Sequence, residues 1–234
     1  MSTSAKEKII VALDAPDAAS ACQLADRLAG TASWVKVGLQ LFTAEGPSIV
    51  RAMQDRGFRV FLDLKFHDIP NTAAEAVRSA VQLGADLTTI HLCGGRKMIA
   101  DAVRASEGSR LLVLGVTVLT SFDEAELRGV GVPATPEQQV RNLVALGTSC
   151  GLRGVVCSPH EIAVLRAAFG NDLAIVTPGV RPKGADTNDQ KRVMTPAEAI
   201  AAGASQLVIG RPITAAASPK DAILRIMEEI DELR

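Results

Sequence analysis

The sequence predicts an α/β protein, a (β/α)8 TIM barrel forming a single domain over residues 1–234, and three observations carry that expectation. Short apolar, β-branched runs alternate with helix patterns from one end of the chain to the other, enough for eight strand–helix units. Most of those runs lack polar alternation, as strands covered on both faces do. No Pro/Ser-rich linker or low-complexity tract divides the chain. The main alternative is a doubly wound open sheet; its dinucleotide-binding version is weakened because no Gly-x-Gly-x-x-Gly follows the first strand.

The predicted strands cover residues 9–13, 34–39, 60–64, 87–92, 111–119, 154–157, 173–176 and 206–209. Between the first two, Ala21, Leu24, Ala25 and Leu28 keep the i, i+3, i+4, i+7 spacing of one helix face, and Gly30 stops the helix. Pro47 opens the next helix and Gly57 closes it. Thr72 and Glu75 have the spacing of a capping box before a stripe of Val77, Ala80 and Val81. Thr135-Pro136, Ser158-Pro159, Thr195-Pro196 and Ser218-Pro219 repeat one device, a hydroxyl N-cap followed by Pro at the first helical position. Glu161 and Glu198 complete two of these as capping boxes. Ile223, Ile226, Met227 and Ile230 form the apolar face of the last helix. The longest irregular stretch, 178–193, is rich in Gly, Pro, Asp, Asn and Lys, and a loop of that length in a compact domain is more often functional than accidental.

Composition narrows the function. Hydrophobic residues make up 47% of the chain but aromatics only 3%, so the core is aliphatic and little is available to stack nucleic-acid bases. Lys and Arg number 25 against 26 Asp and Glu, which argues against a nucleic-acid partner. No signal peptide or membrane span is expected. Cys22, Cys93, Cys150 and Cys157 form no Cys-x-x-Cys pair, so reduced thiols in a cytoplasmic protein are the plain reading. Cys93 and Cys157, at strand ends, read as small core-edge residues.

In a barrel of this kind the active site lies at the C-terminal ends of the strands. There the first strand ends in Asp14, the second carries Lys36, and the third runs Asp63-Leu-Lys65-Phe-His-Asp68. Asp63 and Lys65 are two apart and share a side of their strand, with Leu62 and Leu64 on the other. Inward charges with apolar residues outward are hard to explain by packing, and burying them unpaired is expensive, so they should pair with each other. A structural ion pair at the barrel mouth is the bland reading; charge clusters of this kind more often mark functional sites. Asp68 has an alternative as a turn residue, since Asp-Ile-Pro-Asn precedes a helix. His67 and His91 lie near this region without assigned chemistry, and His160, in a helix's first turn, should face solvent.

Asp63-Leu-Lys65-Phe-His-Asp68-Ile-Pro-Asn-Thr72 resembles the signature of the orotidine 5′-phosphate decarboxylase family. The likeness extends through Ile10-Val-Ala-Leu-Asp14, Val35-Lys36-Val-Gly38, Leu119-Thr120-Ser121, Pro178-Gly-Val-Arg181-Pro182, Asp189-Gln190-Lys-Arg192 and Val208-Ile-Gly210-Arg211-Pro-Ile-Thr214. The resemblance implies decarboxylation of orotidine 5′-monophosphate to uridine 5′-monophosphate, the last step of de novo UMP synthesis, with no metal or organic cofactor. It implies a catalytic array of Lys36, Asp63, Lys65 and Asp68, with Lys65 as proton donor and Asp68 supplied by the other subunit of a homodimer. It further implies that Asp14 contacts the ribose, Thr120 the pyrimidine edge and Thr72 the ribose of the partner's substrate. Arg211, Gly210, Arg181 and Gln190 would hold the phosphate, with Lys183, Lys191 and Arg192 as solvated loop charges. Two rivals remain at this point. One is a magnesium-dependent sugar-phosphate decarboxylase or aldolase of the same wider group, which uses an acidic ligand on the second strand where this chain has Lys36. The other is a non-catalytic barrel that binds a nucleotide, which needs Arg211 but not Asp63 beside Lys65.

Overall fold

A computed structural model describes residues 4–182 and 194–232. Its eight parallel strands close into one barrel in chain order. They are β1 (Ile9–Ala12), β2 (Trp34–Gly38), β3 (Arg59–Phe66), β4 (Leu87–His91), β5 (Leu112–Val116), β6 (Gly154–Val156), β7 (Ala174–Thr177) and β8 (Gln206–Ile209). β1 closes the ring against β8, with Ile10 opposite Val208. The doubly wound alternative is therefore set aside, and the expected (β/α)8 barrel stands.

Period-two alternation sorts the strand residues into two cores. Ile10, Ala12, Trp34, Phe61, Leu87, Leu114, Val176 and Val208 fill the barrel interior. Val11, Val35, Val37, Leu62, Ile90, Val155, Ile175 and Ile209 point outward into the layer beneath the helices. Trp34 lies on the barrel floor: its indole N–H donates to Glu7 Oε2 at 3.0 Å, and the Arg59 guanidinium sits 3.9 Å from the ring centroid.

The helices follow the sequence signals with some shifts. α1 (Ala18–Leu28) buries Ala21, Ala25 and Leu28. An unexpected short helix, α2 (Leu39–Glu45), follows β2 directly, so the strand stops at Gly38 rather than running to residue 39. α3 (Ser48–Asp55) starts just after Pro47, and the chain turns at Gly57 with φ 83°. α4 (Pro70–Gln82) begins at the proline, with Ile69 at the N-cap. This corrects the capping box expected at Thr72, which instead lies in the helix's first turn: Pro70 sets the start three residues earlier. α5 (Gly95–Ala105), α6 (Glu124–Gly129), α7 (Pro136–Ser149), α8 (Ile162–Phe169), α9 (Pro196–Ala201), α10 (Arg211–Thr214) and α11 (Pro219–Asp231) complete the outer layer.

The hydroxyl caps at Thr135, Thr195 and Ser218 accept from the backbone as expected. Thr195 and Glu198 exchange both capping-box bonds. At Ser158 the expected capping box with Glu161 is present, and Glu161 accepts from the Ser158 N–H at 2.7 Å. β5 ends at Val116, short of the expected 119, and Thr117 prolongs the pairing by bonding Val156 O through its N–H and its hydroxyl. Among the described residues no helix is long and apolar enough to cross a membrane.

Candidate active site

The interior parity places the candidate side chains. Asp14 follows Ile10 and Ala12, Lys36 follows Trp34, and Asp63 follows Phe61 on the inward face of each strand. All emerge at the C-terminal end, above the apolar floor. There they form an alternating chain. Lys36 Nζ lies 3.3 Å from Asp14 Oδ1 and 3.8 Å from Asp63 Oδ2. Lys65 Nζ donates to both Asp63 oxygens at 2.9 Å. Lys36 and Asp63 are each 9% exposed, so their charges are held by one another and not by water. The pairing expected for Asp63 and Lys65 is present.

β3 does not run straight through this point. Its ladder with β4 is regular at Phe61–Leu87 and Leu62–Thr88, then jumps to Phe66–Ile90. Lys65 sits in the bulge with φ 50°, the one non-glycine residue at positive φ among the described residues. Thr89 is a further member of the site, beyond the residues expected from the sequence. Its hydroxyl donates to Asp63 Oδ1 at 2.9 Å and accepts from the Lys65 N–H at 2.9 Å. The available signal was its parity: it lies two residues after the inward Leu87.

A cavity of ≈ 190 Å³ opens beside the array. Lys36, Asp63 and Lys65 line one side, and Val116, Val118, Val156 and Val208 line the other, with Thr120 also in the wall. A larger groove of ≈ 480 Å³ lies at the opposite end of the barrel, around Leu111, Leu112, Leu152 and Arg153, and touches none of the array. Gly38 makes room for Lys36: a Cβ there would meet Lys36 Nζ at 2.8 Å.

After β7 the backbone pairs Val180 with Met194, and the Arg181 N–H donates to Met194 O at 3.0 Å. Arg181 is 8% exposed; Nη1 donates to Val180 O, while Nε has no partner among the described residues. Burial, and then the charge of nearby Arg211, push the Arg181 guanidinium down from its ordinary value. Two guanidiniums thus approach one another after β7 and β8, an arrangement that favours an anion between them. Arg211 opens α10, with Gly210 as its N-cap. Gln190, Lys183, Lys191 and Arg192 lie outside the described residues.

Two expected members stand apart from the array within this chain. Asp68 is exposed, and its Oδ1 accepts from the Ile69 N–H at 2.7 Å. Thr72 is exposed on α4. His91 packs beside His67, with ring centroids 5.5 Å apart. Burial first, then the charges of His67 and Lys65, lower its pKa below the ordinary 6.5. Cys93 is exposed, against the expectation of a core-edge residue, because the chain leaves β4 there in a tight turn; Cys157 is buried and His160 exposed, as expected.

The profile of the orotidine 5′-phosphate decarboxylase / HUMPS family matches residues 7–226. The chain belongs to this family. Among its relatives, the orotidine 5′-phosphate decarboxylase of Opitutus terrae is 52% identical over 95% of this chain and 97% of its own length. That of Moorella thermoacetica is 52% identical over 98% of this chain and 94% of its own. The crystal structure of orotidine 5′-phosphate decarboxylase from Lactobacillus acidophilus superposes with a TM-score of 0.82 at 34% identity, covering 96% of this chain and 99% of that one. The family description spans two kinds of barrel, and both named relatives fall on the decarboxylase side.

Proposed function

We propose that this family member decarboxylates orotidine 5′-monophosphate to uridine 5′-monophosphate and carbon dioxide, the last step of UMP synthesis, without metal or organic cofactor. The observation that carries the reading is the Asp14–Lys36–Asp63–Lys65 chain at the barrel mouth. A decarboxylation leaves an electron pair on the ring carbon when the C–C bond breaks. Lys65 supplies a positive charge near that developing carbanion and then a proton from Nζ. Solvent reprotonates the amine. Asp63 orients Lys65 and stands close to where the substrate carboxylate would leave. Like charges about 4 Å apart repel by roughly 4 kcal/mol at an effective dielectric near 20. Lys36 offsets part of that repulsion and holds Asp63 in place.

The apolar wall of Val116, Val118, Val156 and Val208 suits the flat face of a pyrimidine, and Thr120 offers a polar partner to its edge. Asp14 is placed to meet the ribose. Arg181, Arg211, Gly210 and, from the long loop, Gln190 take the phosphate. Binding energy at this remote end serves the chemistry by closing and ordering the site.

Asp68 and Thr72 act across a homodimer interface, reaching the partner's substrate. What supports this is their exposure beside Ile69, itself 67% exposed, on the rim of a groove that includes Pro70, Ala74, Arg78 and Lys97. The protein works in the cytoplasm as one barrel domain and needs no nucleic-acid or membrane partner.

The magnesium-dependent sugar-phosphate reading fits the site poorly. An ammonium stands between Asp14 and Asp63, where a divalent cation would need a ligand, and it would repel the metal. The deciding experiment is incubation with orotidine 5′-monophosphate in EDTA, following the ultraviolet change and the appearance of uridine 5′-monophosphate. Turnover that continues in chelator supports the assignment. No turnover, or turnover that returns only with magnesium, overturns it.

A further inference from the structure

We propose that Thr89 is a positioning residue for the proton donor, its hydroxyl fastening the bulged backbone of Lys65 to the carboxylate that orients the Lys65 ammonium. The inference rests on the decarboxylase reading and adds a residue to it.

The need for a fastener follows from the ladder. Between the Leu62–Thr88 and Phe66–Ile90 pairings, β3 spends three residues, Asp63, Leu64 and Lys65, against Thr89 alone on β4. The Lys65 N–H has no strand carbonyl opposite it, and its φ of 50° lies where a side chain is disfavoured. Such a conformation persists only when its surroundings over-determine it. Thr89 Oγ1, fully buried, meets that N–H at 2.9 Å.

The direction of the second bond is then settled by chemistry. A backbone N–H can only donate, so the hydroxyl accepts from Lys65. Its single proton is left for Asp63 Oδ1, also at 2.9 Å. Asp63 in turn accepts from the Lys65 ammonium. The circuit runs from the Lys65 backbone through Thr89 and Asp63 back to the Lys65 side chain. Both ends of the proton donor are therefore referred to one hydroxyl. Thr89 is absent from the cavity wall, so its effect passes through Asp63 and Lys65. Thr88 Oγ1, by contrast, donates only to Leu62 O at 2.9 Å, on the outward side of the strand.

The test compares Thr89→Ser with Thr89→Ala, which differ by one oxygen, and adds the near-isosteric Thr89→Val. Wild-type protein must first turn over orotidine 5′-monophosphate; if it does not, the decarboxylase reading fails and the variants are not the cause. With wild type active, Thr89→Ala and Thr89→Val should lose about tenfold to a hundredfold in kcat, the scale of a misplaced reacting group. KM should stay within about threefold, since the phosphate and ring contacts are untouched. Thr89→Ser should recover kcat to within about threefold of wild type, because the hydroxyl is restored. Thr88→Val should lower the denaturation midpoint while sparing kcat. The proposal is overturned if Thr89→Ala matches Thr89→Ser, if KM carries the loss, or if kcat does not fall. Should Thr89→Val fail to fold, the Ser–Ala comparison still decides.

Discussion

Replacing Gly38 by Ala tests whether the placement of the Lys36 ammonium sets the rate. Gly38 has φ −99°, a conformation any residue adopts, so the substitution introduces no backbone strain. The added Cβ would stand 2.8 Å from Lys36 Nζ, and ordinary contact begins near 3.4 Å. The ammonium must therefore retreat by about 0.6 Å, the difference of those two distances. Moving it that far from Asp63, now 3.8 Å away, costs about 0.6 kcal/mol at an effective dielectric near 20. The same retreat from Asp14, now 3.3 Å away, costs about 0.8 kcal/mol, which is roughly halved because the Asp14 side chain is 66% exposed. The total is about 1 kcal/mol, or about a fivefold fall in kcat/KM if the displaced charge is felt fully in the transition state. Ala is also the poorer N-cap for α2, which takes up to about 1 kcal/mol from stability and shows separately as a lower urea midpoint. The assay is steady-state decarboxylation followed by absorbance, with urea denaturation alongside. Wild-type kcat/KM in a variant of slightly lowered midpoint would refute the reasoning, since the ammonium would then have moved without consequence.

Gly210→Ala gives a different pattern: its Cβ would meet Ala12 Cβ and Asp14 Oδ2 at an ordinary 3.6 Å, so the free protein loses only the N-cap preference for α10, while binding of uridine 5′-monophosphate, measured by isothermal titration, weakens beyond that small loss of stability. Arg211→Ala should depress turnover of the nucleotide far more than that of the phosphate-free nucleoside, by about tenfold or more for a lost charge-assisted contact, and equal losses would count against a phosphate role. His91 gives a pH signature: its folded pKa lies below the ordinary 6.5, so the unfolded chain takes the proton first as pH falls. Its contribution to stability is intact above about pH 6.5 and is lost as pH drops through that value towards the folded pKa. Urea midpoints at about pH 7.5 and pH 5.5 should therefore differ less in His91→Asn than in wild type, and an unchanged difference would contradict it.

How legible the fold was depended on whether a residue's partners were local. The eight strands, the proline-led helix starts and the Asp63–Lys65 pair could be read because each rests on short-range spacing. The start of α4 lies three residues earlier than Thr72 and Glu75 suggest, because they imitate a capping box while Pro70 and the Asp68–Ile69 turn decide the entry. β3 was read two residues short because its charges interrupt the apolar run, yet the strand continues to Phe66 through the bulge. Thr89 escaped notice because a threonine in a β-branched run looks like strand filler. Only the pairing of β3 with β4 shows that its hydroxyl meets both the Asp63 carboxylate and the Lys65 backbone N–H across the ladder. Arg181 was named through resemblance. Its burial beside Arg211, the physical reason to expect an anion, is visible only once β7 and β8 are adjacent.

The parity of the barrel explains why buried charge is tolerable at this site. The inward residues rise in columns: Ile10, Ala12, Asp14 on β1; Trp34, Lys36 on β2; Phe61, Asp63 on β3. Each column is apolar at the floor and charged above it; Lys36 stands opposite Ala12 and Phe61, one inward step below Asp63, and its long side chain reaches up to Asp63 and Asp14. At the mouth β1, β2 and β3 present opposite signs in turn: Lys36 meets a carboxylate on each neighbouring strand, and Lys65 meets Asp63 on its own. A single such group above Trp34 and Phe61 would be desolvated without compensation and would neutralise or unfold the mouth. Alternation removes that penalty while keeping the field strong, because the apolar floor and the valine wall exclude the water that would screen it. The same logic ranks substitutions. Reversing or deleting a charge in mid-array, at Lys36 or Asp63, leaves a buried neighbour unpaired, whereas deleting Asp14, which already faces water, does not. The site's chemistry and its stability therefore share one condition, that the order of signs around the barrel is kept.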